Sequence, residues 1–191
     1  MAALVASLGL AFGTFEAVQG TQHARAASVQ RAPWAVTETI NPNNIAITGG
    51  TAKERSVIRG YLKKWAQNTH ILSVKIGKCG HTGTTSMYIT GASAICITAG
   101  LKTKPLMYVA AHEIGHATQI FAFRGMDTSY DLIDSHLSSI FGGGPNLISL
   151  DYAADCIAKA TTGFSTYNHY KKNFTAAQTK AAKLIASGVP V

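Results

Sequence analysis

The pentapeptide His112-Glu113-Ile114-Gly115-His116 constrains this chain more than any other segment. It matches the pattern H-E-x-x-H. On an α-helix, positions i and i+4 share one face, one turn apart. Two imidazoles placed there can bind a single Zn²⁺ through neutral nitrogens. Glu113 follows the first histidine and reaches the same place from the side. A carboxylate there can take a proton from an attacking water and pass it to a leaving amine. The chemistry implied is hydrolysis of a peptide bond by metal-activated water.

A short pattern with two wildcards also arises by chance on surface helices. The flanks oppose that reading. Leu106, Met107, Val109, Ala110 and Ala111 precede the motif, and Ile114, Ala117, Ile120 and Phe121 interleave with it or follow. A helix apolar on several sides is mostly buried. Two histidines and a glutamate in such a helix need partners, and a metal supplies them. Gly115 costs about 1 kcal/mol of helix stability relative to alanine. A bare side at that position would admit another chain segment or the metal shell.

H-E-x-x-H provides two protein ligands, whereas a catalytic zinc takes three and a water. The candidate for the third lies in Asp151-Tyr152-Ala153-Ala154-Asp155-Cys156, inside a helical stretch over 150–161. Asp151 and Asp155 are again i and i+4. One can bind the metal while the other accepts the second N–H of a ligating histidine. Ala153, Ala154, Ile157, Ala158 and Ala160 surround both acids, which suggests a packed helix rather than a solvated acidic face.

The pairing of H-E-x-G-H-A-x-Q with a later acidic A-D-C element resembles the gluzincin metallopeptidases. In particular it is similar to the secreted and membrane-anchored bacterial proteins called neutral zinc metallopeptidases. The resemblance spans roughly residues 75–160 and rests on those two motifs. It implies a minimal zincin-like α+β domain with a small sheet, one Zn²⁺ per chain, His112 and His116 as ligands and Glu113 as general base. It also implies Asp151 as the third ligand and Asp155 as the outer-shell partner of a ligating histidine. The chain departs from the family at Asp151, where the pattern has glutamate. The shorter side chain requires the acid helix to sit closer, or the metal to shift. The metzincin pattern fails on spacing, because its third histidine would fall at Ala122. His136 comes too late for that motif and reads as a surface or substrate-side residue.

Residues 1–26 read as a secretory signal peptide, with an uncharged apolar run over 2–15 and the A-x-A-like Ala24-Arg25-Ala26. The run is shorter than the roughly 18 residues of a membrane-spanning helix, which favours cleavage over anchoring. The expected location is extracellular or in the cell envelope. Residues 27–50 read as an N-terminal arm or short pro-segment, polar and Pro/Asn-containing over 27–44. Residues 51–191 are the expected zincin-like metallopeptidase domain. Within it, Thr51 and Glu54 make a capping box for a helix reaching about residue 68. Val57, Ile58, Tyr61, Leu62 and Trp65 give that helix one buried face. Strands are expected over 70–76, 87–90 and 94–98. The motif helix runs over 104–123 with Pro105 in its first turn. Further helices are expected over 129–141 and, packed on the outside, over 175–186. The strand over 94–98, just before the motif helix, is the candidate for binding an extended peptide by strand addition. Candidate oxyanion donors are His136, Tyr152, Tyr167 and His169.

Export makes disulfides possible. Cys79 and Cys96 flank a Gly/Thr-rich stretch, and a bridge between them would pin a hairpin-like excursion with about 3 kcal/mol of loop-entropy stabilisation. Cys156, beside Asp155, reads as a buried thiol outside any bridge. Three cysteines nevertheless allow three pairings. A chain starting at residue 27 keeps the net charge of +8, with 16 basic and 8 acidic residues, six of the acids falling between 113 and 155. A basic exterior first of all favours solubility, and it also suits contact with anionic polymers or cell-envelope surfaces. No nucleic-acid motif or aromatic-basic interleaving is present, so nucleic acid is not an expected partner. The partner expected is a peptide or protein substrate of a monomeric, secreted zinc peptidase. A zincin-fold binding or adhesion module with little turnover is the second reading, and intact Glu113 argues against it. An envelope protein without metal is the third.

Overall fold

Thr51 starts the first helix in the manner its sequence dictates. Its side chain accepts from the Glu54 amide at 3.2 Å, while the Thr51 amide donates to Glu54 Oε2 at 2.6 Å. The expected capping box is therefore formed at the head of α1 (Ala52–Trp65). The other carboxylate oxygen, Oε1, accepts from the Gly100 amide at 2.7 Å. These backbone donors hold the Glu54 carboxyl below its ordinary value. The computed structural model describes residues 41–67, 69–80, 83–87, 93–123, 130–143, 148–164 and 173–191, all within the compact unit Trp34–Val191. The expected signal peptide lies outside the described residues.

Four strands form one sheet in the order β1-β2-β4-β3, with β1 at Ala46–Gly49, β2 at Ile71–Gly77, β3 at Gly83–Met87 and β4 at Ser93–Thr98. β1 and β4 each run parallel to β2, and β3 runs antiparallel to β4. Two sequence expectations need correction here, and a third is met at one end. The last residues of the expected arm over 27–50 are a sheet strand, β1, paired from Ala46 opposite Ser73 to Gly49 opposite Ile76. The Arg59 guanidinium holds its approach by donating to the carbonyls of Pro42 and Ile45. The strand expected over 87–90 meets the described residues at Met87, the last residue of β3, which begins at Gly83 because Gly83 and the threonines after it pair with Ile97, Cys96 and Ile95. Residues 88–92 lie outside the described residues. Finally, β4 is an interior strand with a neighbour on each side, so it offers no edge for strand addition.

One sheet face is buried through Val74, Ile76, Ile95 and Ile97. A register irregularity between Ile71 and Ser73 turns Ile71 to the same side. Ile58, Tyr61 and Leu62 of α1 pack on this face together with α2 (Thr103–Ala122), through Leu106, Val109 and Ile114. A second apolar cluster joins the end of α2 to α3 (Tyr130–Phe141), α4 (Ile148–Thr162) and α5 (Ala176–Ala186), centred on Phe123, Leu137, Phe141 and Ile157. The sequence places α5 on the outside, but its Ala182, Ile185 and Ala186 are wholly buried, so it closes the second cluster. The domain is α+β, with the motif helix shared by both clusters. Cys79 and Cys96 form a disulfide, and Cys156 is buried outside that bridge. Among the described residues no helix is long and apolar enough to cross a membrane.

Candidate metal centre

Pro105 lies in the first turn of α2, and the motif occupies the middle of the helix, where the backbone is regular. One helical turn separates His112 from His116, and their rings meet edge to face with centroids 4.9 Å apart. Gly115 leaves this side of α2 bare, and α4 fills the space. A β-carbon at Gly115 would lie 3.5 Å from Ala154 Cα and 3.4 Å from Ile157 Cγ2. Asp151 Oδ1 reaches to 3.3 Å from His116 Nε2 and 3.7 Å from His112 Nε2. The ligand atoms of His112, His116 and Asp151 all lie within 4.8 Å of one another, so this group could hold one metal ion.

Asp155, one turn along α4, is fully buried. Its Oδ1 stands 3.0 Å from His112 Nδ1 and also accepts from the Tyr108 hydroxyl at 3.0 Å. The carboxylate favours a proton on Nδ1, so in the neutral ring Nε2 is the bare nitrogen, and it faces Asp151. This is the tautomer a metal needs, and the carboxylate fixes the ring plane. Two nitrogens and one oxygen, open on one side, fit the donor set of a three-ligand site. Glu113, next in sequence and 8% exposed, lies against Gly83 of β3, near enough to His112 for its charge to act on that ring.

The charges are strongly coupled. Burial acts to lower the His112 pKa, but the Asp151 and Asp155 carboxylates and the Glu113 charge outweigh it and raise it to about 9. Asp151 feels burial in the opposite sense, yet its bonds to His112 and His116 hold it far below the usual carboxylate range. Burial and the Asp155 charge push the Tyr108 phenol up, so it stays a neutral donor.

Sequence reading located the two histidines, Glu113, Asp151 and Asp155, and the structure brings them together. It missed Tyr108, although this residue precedes His112 by four and so shares its face. It missed Gly83, which approaches Glu113 from β3, because that contact is tertiary. Of the oxyanion candidates, His136 bonds the Val191 carbonyl and packs its ring 5.2 Å from that of Phe123, outside the donor group. Tyr152 lies against the helical cluster. Tyr167 and His169 lie outside the described residues. Compared with known family models, curated proteins and solved structures, the chain matches none.

Proposed function

We propose that this chain is a zinc-dependent peptidase that hydrolyses peptide bonds with metal-activated water. The observation that carries this reading is the convergence of His112, His116 and Asp151 on one point, beside an almost enclosed Glu113. The resemblance of the two motifs to the gluzincins supports it.

His112, His116 and Asp151 would hold the ion. When bound, zinc supplies a Lewis acid that polarises the scissile carbonyl and acidifies water. Glu113 accepts the proton of the attacking water and delivers it to the leaving nitrogen. Asp155 keeps the His112 ring in register through Nδ1, and Tyr108 secures Asp155. Among the described residues β3 pairs on one side only, and it packs on α2 beside Glu113. An extended peptide would add to this edge, a role the sequence suggested for β4. An exported location rests on the residues 1–26 alone.

The test is metal analysis of the protein starting near residue 27, with a casein or peptide-library digest run with and without chelator. The expected result is close to one zinc per chain and cleavage that chelator abolishes and zinc restores. Zinc retention with no cleavage would favour the binding module. Negligible metal after purification without chelator would remove both readings.

A further inference from the structure

Leu150 immediately precedes Asp151, and both of its backbone polar groups are held by side chains from other helices. Its amide donates to Asp134 Oδ1 of α3 at 3.1 Å. Its carbonyl accepts from Gln119 Nε2 of α2 at 2.9 Å. Both side chains are buried, Gln119 completely. First-turn amides of a helix have no partner within the helix, and the Asp134 carboxylate fills that need while placing a negative charge where the helix dipole favours one. The Gln119 amide has no comparable local reason to be there. Its Oε1 is buried and has no hydrogen-bond partner among the described residues, and leaving such a group unsatisfied is costly. An apolar residue of the same size would fill the space without that cost. What the amide provides is one directed bond, from the helix that carries both histidines to the residue before the aspartate.

We propose that Asp134 and Gln119 are positioning residues that clamp Leu150 and so set where the Asp151 carboxylate stands relative to His112 and His116. The clamp tunes metal affinity without either residue touching the metal. The proposal rests on the metal reading above. It also explains α3, since the helix between the two ligand elements fixes the start of the second. The short aspartate makes this necessary, because it has less reach with which to absorb a displacement of α4.

The test uses the full chain and three measurements: zinc affinity by competition with a chromogenic chelator, the visible spectrum of the Co²⁺-loaded protein, and the melting temperature of the metal-free protein. Gln119→Met is nearly isosteric and removes the donor and the unsatisfied oxygen together. Its metal-free melting temperature should stay near that of the parent. Its zinc affinity should fall about tenfold or more, the range seen when outer-shell partners of metal ligands are lost, with a changed Co²⁺ band. Asp134→Ala should behave likewise, and Asp134→Asn, which keeps an acceptor oxygen, should stay close to the parent. Parental affinity and spectrum in both Gln119→Met and Asp134→Ala overturn the clamp. Affinity lost only in step with the metal-free melting temperature also overturns it, since that is a merely structural effect. Failure of the metal reading looks different: the parent and Asp151→Ala would then bind zinc alike.

Discussion

Gly83 forms the floor beneath the Glu113 carboxylate: a β-carbon there would stand 2.6 Å from Oε1 and 2.8 Å from Cγ. Its φ lies outside the left-handed region, so any residue could adopt its backbone conformation. The space is what only glycine leaves. It would also meet Val109 at 2.8 Å, on the turn of α2 that precedes Glu113. The edge strand and the proposed base are thus fitted to each other.

Gly83→Ala should therefore displace Glu113 while leaving His112, His116 and Asp151 in place. The expected outcome is parental zinc content with peptide hydrolysis reduced on the order of a hundredfold, the typical effect of moving a reacting group by about an ångström. Metal analysis and initial rates on the same preparation check it. Undiminished rates would separate Glu113 placement from Gly83.

Glu113→Gln keeps the shape of the side chain and removes its basicity. Zinc should stay bound, and the rate should fall by roughly 10²–10⁴. His112→Ala should lose metal and activity together. Hydrolysis at the parental rate by Glu113→Gln would exclude this carboxylate as the base.

The metal-free protein should show a defined pH window of stability. The folded His112 pKa, about 9, lies above its ordinary 6.5. Its contribution is thus complete below 6.5 and disappears as pH rises through about 9. Asp151 is held below its ordinary 3.8, so its contribution is present above 3.8 and is lost on acidification. The melting temperature should be highest between those two ordinary values and decline toward pH 9. Because a ligating histidine must be neutral, loading metal at pH 7 should release about one proton from His112, measurable with an indicator dye. A melting temperature that climbs steadily from pH 6 to 9 would contradict the assignment.

Gly115→Ala should be tolerated. The added carbon would meet Ile157 at 3.4 Å and Ala154 at 3.5 Å, ordinary contact distances. The helix would gain up to about 1 kcal/mol. Denaturant melts should show stability unchanged or raised, with zinc affinity retained. A fall of more than about 1 kcal/mol, outside the usual range for a harmless substitution, would mean that α4 cannot yield even slightly.

What was legible in the sequence was local. His112 and His116, Asp151 and Asp155, and Thr51 with Glu54 are pairs three or four residues apart on helices, and helical geometry alone places them together. The disulfide was also legible, because the expectation of export and an intervening Gly/Thr-rich stretch pointed to it. The sheet was less so. β1 has only Ile47 to mark it as apolar, and its existence depends on pairing with Ser73 to Ile76. β3 has glycine and threonine where a buried strand would carry branched apolar residues, so its residues resemble a loop until Ile95 and Ile97 are placed opposite. Asp134 lies 16 residues from Leu150, and nothing local announces a bond that forms only when three helices meet.

The Cys79–Cys96 bridge encloses the whole of β3 in a covalent ring. A backbone cut anywhere inside that ring leaves two ends that remain joined through sulfur. A molecule cut there by any protease can thus be nicked beside its proposed peptide-binding edge and still keep that strand attached. Such a nicked molecule would run as one species on a denaturing gel and separate into two fragments only after reduction.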